Sequence, residues 1–71
     1  MDIRDNLKEV IRDKNYIQAG IARKANLTPM KLSQILNKER RLEANELFDI
    51  CKAIEMTPME LKDYPSGKKE V

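Results

Sequence analysis

Histidine is absent from the sequence and cysteine occurs once, at Cys51. A structural zinc site needs several Cys or His ligands, so the usual zinc modules are excluded, and a single thiol closes no intramolecular disulfide. Aromatic rings are scarce: Tyr16, Phe48 and Tyr64 are the whole set. Such a set is too small for a platform that stacks single-stranded nucleic acid. No window approaches the ~20 apolar residues of a membrane span. The opening Met1-Asp2-Ile3-Arg4-Asp5 is charged where a signal peptide has an apolar run. The expectation is a cytoplasmic protein in a reducing compartment, with no membrane contact. Catalysis has little to stand on: there is no histidine, no glycine-rich phosphate loop, no nucleophile beside a base, and no carboxylate pair expected to face a cleft. The chain does not read as an enzyme, and no cofactor or metal is expected.

Charge is what the sequence has in quantity, and its distribution is uneven. Asp, Glu, Lys and Arg make up 37% of the residues, yet the formal net charge is only +2. The window Arg23 to Arg41 holds Arg23, Lys24, Lys31, Lys38, Arg40 and Arg41 against Glu39 alone, a net of +5. The next window, Leu42 to Asp63, holds Glu43, Glu46, Asp49, Glu55, Glu60 and Asp63 against Lys52 and Lys62, a net of −4. A basic segment on a small domain is an electrostatic footprint for nucleic acid. At 71 residues the chain makes one domain. A chain of this size buries roughly 60% of the surface its unfolded form exposes, enough for one small core.

The apolar spacing is helical throughout, with no strand pattern and no internal repeat. Ile3, Leu7, Val10 and Ile11 mark a first amphipathic helix, with Asp2 as N-cap and an end near Lys14-Asn15. Ile17, Ile21, Ala22 and Ala25 form a second short stripe, closed by Asn26, a residue that tolerates left-handed backbone. Thr28-Pro29 starts a third helix, Thr as cap and Pro at the first helical position, running to about Leu36 or Asn37. A polar, basic connection over Asn37–Leu42 leads to a fourth helix marked by Ala44, Leu47, Ile50, Cys51 and Ile54. Thr57-Pro58-Met59-Glu60 opens a short fifth helix with a capping box between Thr57 and Glu60. Residues 1–64 are thus expected to form the domain and residues 65–71 a flexible tail.

At 100° per residue, Leu32, Ile35 and Leu36 share one face of the third helix. Met30, Gln34 and Asn37 fall opposite, flanked by Lys31 and Ser33. The major groove of B-DNA, ~12 Å wide, admits such a helix. There Gln can hydrogen-bond adenine twice, and a Met methyl can pack on a thymine methyl. Taken alone, Gln34 and Asn37 are also consistent with a plain solvated face. Comparing the two Thr-Pro-Met helix starts adds information. The second is followed by Glu60, which suits the positive end of a helix, and the first by Lys31, which in isolation costs ~0.3–1 kcal/mol. A phosphate at that end would reverse the sign; an exposed lysine of small cost is the alternative.

These residues resemble the helix-turn-helix of phage-repressor and Cro-like proteins, the XRE family. That pattern asks for Gln at its first position, Ala at the fifth, Gly at the ninth, and apolar residues at the fourth, eighth, tenth, fifteenth and eighteenth. Counted from Gln18, the chain supplies Ala22, then Ile21, Ala25, Leu27, Leu32 and Ile35, and departs only with Asn26 in place of Gly. The resemblance covers about residues 3 to 63. It implies an all-α, compact five-helix lambda-repressor-like domain whose second and third helices form the helix-turn-helix. It also implies a sequence-specific, duplex DNA-binding transcriptional regulator of phage or mobile-element repressor type, with helix 29–37 in the major groove. By the same resemblance, Pro29, Met30, Ser33 and Gln34 would face bases. Gln18, Thr28, Lys31, Asn37, Lys38, Arg40 and Arg41 would hold phosphates. The family often has polar side chains where this chain has Pro29 and Met30, which leaves fewer hydrogen bonds to bases and more reliance on phosphates.

Four further features remain. Gly20 lies inside the second helix at a cost of ~1 kcal/mol relative to Ala; it either admits a phosphate or partner closely or is a tolerated exposed glycine. Cys51, one turn from Leu47, reads as a buried structural thiol. The acids of the fourth helix read as a solvated face that repels DNA and so orients the domain. Met56, Met59, Leu61 and Tyr64 crowd the C-terminal end. They suggest a weak homodimer through the C-terminal helices, or a monomer that dimerises on DNA. An antitoxin-like or other protein-interaction module on the same fold is the second functional reading.

Overall fold

Three of the five helices start at the caps that the sequence predicts, Asp2, Thr28 and Thr57. Asp2 is extended and its Oδ1 accepts the Arg4 N–H at 2.8 Å, opening α1 (Ile3–Asp13). The α2 helix (Gln18–Lys24) follows extended Ile17 without a side-chain cap. Thr28 Oγ1 accepts the Lys31 N–H at 3.1 Å and Pro29 opens α3 (Pro29–Leu36). Before α4 (Ala44–Ile54), the Glu43 N–H donates to Glu46 Oε1 at 3.1 Å. The capping box of α5 (Pro58–Asp63) is reciprocal: Glu60 N–H to Thr57 Oγ1 at 3.1 Å and Thr57 N–H to Glu60 Oε1 at 2.8 Å. The computed structural model describes residues 2–64, and these are all-α, with five helices and no strand among them. The tail expected over 65–71 lies outside the described residues.

The first four helices end alike. Asn15, Asn26, Lys38 and Glu55 have φ of 57°, 62°, 63° and 58°. After each, the next N–H reaches five residues back: Tyr16 to Ile11 O (3.0 Å), Leu27 to Ala22 O (2.8 Å), Glu39 to Gln34 O (2.8 Å) and Met56 to Cys51 O (3.0 Å). These are Schellman closures, which satisfy carbonyls that a helix end leaves open. Tyr16, Leu27 and Met56 then turn their apolar side chains onto the core, whereas Glu39 is exposed.

The core joins Leu7, Val10 and Ile11 of α1, Ile21, Ala22 and Ala25 around α2, Leu32, Ile35 and Leu36 of α3, Ile50, Cys51 and Ile54 of α4, and Leu61 of α5. Full burial of one such aliphatic side chain stabilises by about 1.5–3 kcal/mol. In this arrangement α2 packs on α3 and α4, and α1 on α3 and α5. Ile17 departs from the expected stripe: it is 76% exposed, because as the N-cap of α2 it precedes the helical turn that carries Ile21 inward. Cys51 is buried, and desolvation pushes its thiol pKa up, as a structural thiol requires. Asn6 is a buried polar residue that the periodicity did not reveal. Its Nδ2 donates to Leu61 O and Lys62 O at 3.0 and 2.9 Å, tying α1 to the end of α5.

Candidate nucleic-acid interface

The outward face of α3 is set by what holds it from behind. Leu32 and Ile35 are fully buried and Leu36 nearly so. Consequently Met30 stands 71% exposed, Pro29 and Asn37 are exposed, and Lys31, Ser33 and Gln34 are half-buried along the same side. Thr28 is exposed at the helix start, its hydroxyl engaged by the Lys31 N–H. Ser33 and Asn37 stand one turn apart, with Asn37 Nδ2 donating to Ser33 Oγ at 3.5 Å. The α2–α3 corner needs left-handed backbone at Asn26, and Leu27 behind it packs on the core, which fixes the angle at which α3 is presented.

The basic connection after α3 is clamped from two sides. From α1, Arg4 Nη1 donates to Arg40 O at 2.9 Å, and Asp5 Oδ2 holds Lys38 Nζ at 3.1 Å. Arg4 is itself oriented by Asp2, through Nε to Oδ1 at 3.0 Å and Nη2 to Oδ2 at 2.6 Å. The Arg4 side chain, then its backbone N–H, holds the Asp2 carboxyl well below the usual carboxylate range, and Asp2 in turn raises the Arg4 pKa. From α4, Glu46 Oε2 lies 3.8 Å from both Lys31 Nζ and Arg40 Nη2. Arg41 is exposed and has no ion pair among the described residues.

Two expectations therefore change. Glu46 does not belong to a solvated acidic face: its side chain is 15% exposed and it reaches across to α3 and the basic connection. The cation at the start of α3 is also not without an anion, since Glu46 supplies one, so the position of Lys31 alone does not call for a phosphate. The structure brings Lys31 and Arg40 together around that carboxylate. Gln18 is half-buried in a groove with Asp5, Ile11, Arg12 and Leu36, which neither Lys31 nor Arg40 lines. Gly20 has no internal need for glycine, because an added Cβ would meet only Ile17 Cβ at 3.9 Å. Sequence reasoning missed Arg4, Asp5 and Glu46 as supports of this surface. A Glu three residues after Glu43 is a capping-box signal at a helix start, but its reach to Lys31 is tertiary and leaves no local trace.

Among the described residues, no cluster of His, Cys, Asp and Glu is placed to hold a metal ion. Nor is any helix among them long and apolar enough to cross a membrane. No curated protein and no solved structure matches the chain. One protein family does: the model of the Cro/C1-type HTH DNA-binding domain matches residues 6–66. That span contains four of the five helices whole and most of α1, with the corner at Asn26 and the outward face of α3 inside it. An all-α chain with this corner, this presented helix and this match belongs to the Cro/C1-type helix-turn-helix DNA-binding domain family.

Proposed function

We propose that this chain is a sequence-specific transcriptional regulator of the phage or mobile-element repressor type, acting in the cytoplasm and laying α3 in the major groove of duplex DNA. The observation that carries the reading is the exposed side of α3, braced by Leu32, Ile35 and Leu36 and flanked by Lys31, Lys38, Arg40 and Arg41. In this reading Pro29, Met30, Ser33 and Gln34 meet base edges. Gln34 hydrogen-bonds a base, and Met30 packs on an apolar edge such as a thymine methyl. Gln18, Thr28, Lys31, Asn37, Lys38, Arg40 and Arg41 contact the sugar–phosphate backbone, fixing register and supplying the salt-dependent part of the affinity.

Selection of bound duplexes from a random pool, followed by titration of variants, tests this. Gln34→Ala changes the preferred sequence by about 1–3 kcal/mol at one position. Arg41→Ala weakens binding to all sequences and lowers the salt slope by about one. An absence of salt-dependent binding to any duplex ends the proposal. Phe48 and Met59, 53% and 63% exposed on α4 and α5, support self-association through the C-terminal helices. The same two side chains favour the second reading, an antitoxin-like module in which another protein covers them.

A further inference from the structure

We infer that Glu46 is a built-in competitor for the DNA backbone, occupying Lys31 and Arg40 in the free protein and holding down affinity for duplex of any sequence. The inference rests on the DNA-binding reading above. One carboxylate oxygen, Oε2, is shared by Lys31 Nζ and Arg40 Nη2 at 3.8 Å each. The other, Oε1, accepts the Glu43 N–H at the start of α4. The Glu46 side chain is 15% exposed, while those of Lys31 and Arg40 are 38% and 40% exposed. The acid is thus fixed in the fold, and the cations sit on long flexible stems that can swing outward.

The geometry has a specific consequence for an arriving phosphodiester. Lys31 stands in the first turn of α3 and Arg40 in the connection beyond its end, so a single carboxylate from α4 joins the two cationic parts of the surface. A phosphate that engages Lys31 and Arg40 takes them from an anion of equal charge, or shares them with it. Fewer solution ions then leave the DNA, because part of the cationic charge is already neutralised inside the protein. The Asp5–Lys38 pair differs, since both side chains are more than a third exposed and solvent screens them more. Glu46 lowers the backbone contribution for every sequence, so contacts from Met30 and Gln34 make a larger share of the total.

The test is Glu46→Gln, which removes the charge and keeps an acceptor for the Glu43 N–H, so that the start of α4 is retained. Wild type and variant are titrated by fluorescence anisotropy against a mixed-sequence duplex across a NaCl series. A thermal melt followed by circular dichroism verifies the fold, and Glu46→Ala provides a second neutral variant. The expected result is binding tighter by about three- to tenfold at low salt, with a salt slope steeper by about one. In a Lys31→Ala/Arg40→Ala background the same change yields less than about a twofold gain, as expected if those two cations carry the counterion term. Equal binding by wild type and E46Q overturns the inference, as does a full gain that persists without Lys31 and Arg40. A wild type that shows no salt-dependent binding defeats the DNA-binding reading itself, and that result is separate from any comparison of variants.

Discussion

Asn6 shows how much one polar side chain decides in a small core. It is 3% exposed, and its amide donates to two successive carbonyls, Leu61 O and Lys62 O, so the last helix is held to the first by hydrogen bonds as well as by Leu61 packing. Asn6→Asp replaces the donor with a second acceptor against those carbonyls. The expected cost is about 1–3 kcal/mol, seen as a lower urea midpoint at unchanged slope; an unchanged midpoint would show that the stitch contributes nothing. A 3.6-residue period detects apolar side chains and passes over a buried amide, so Asn6 could not be read from the sequence. Asp2, Thr28 and Thr57 could, because a cap and its partner lie two or three residues apart. Glu46 was half legible. Its place at the start of α4 is local, while its hold on Lys31 and Arg40 depends on how the fold sets the start of α4 beside the start of α3 and the connection between them.

At the level of elements, the four Schellman corners are built without a single glycine. Left-handed backbone costs L-residues other than Asn and Asp roughly 1–2 kcal/mol. Asn15 and Asn26 carry it readily, whereas Lys38 and Glu55 do not. Glu55→Gly at the end of α4 is therefore expected to stabilise the fold by about 1 kcal/mol, net of the extra chain entropy of glycine. Asn26→Gly is expected to gain only a few tenths, since Asn already suits the conformation. Thermal melts of the two variants side by side make the comparison, and equal shifts would contradict it. Asn26 was recognisable because its residue type and its place in the helix-turn-helix pattern agree. Nothing in Lys or Glu announces a left-handed corner, so the two costlier ones emerged only from the backbone.

Over the whole molecule, the sequence separates a basic stretch from an acidic one, and the fold partly recombines them. Glu46 and Asp5 reach cations of the α3 region, while Glu43, Asp49, Glu55 and Glu60 remain exposed. Beside the exposed acids of α4 and α5, Phe48 and Met59 provide the apolar surface that a weak dimer would use. Sedimentation equilibrium on wild type and Phe48→Ser/Met59→Ser is expected to show concentration-dependent association that the double variant loses. A strict monomer at high concentration, free and DNA-bound, would remove self-association. The order of helices and the presented face of α3 were legible because both follow from apolar spacing. The electrostatic supports were not, because they join residues far apart in the chain. One corner also stands apart from the other three. Tyr16, Leu27 and Met56 latch their turns with apolar side chains, while the turn at Lys38 ends in exposed Glu39 and is held through Arg4, Asp5 and Glu46. On the proposed reading, dissolved electrolyte would therefore act by two routes, dimming the attraction for the double helix and slackening the ionic clasp on the turn that would do the gripping.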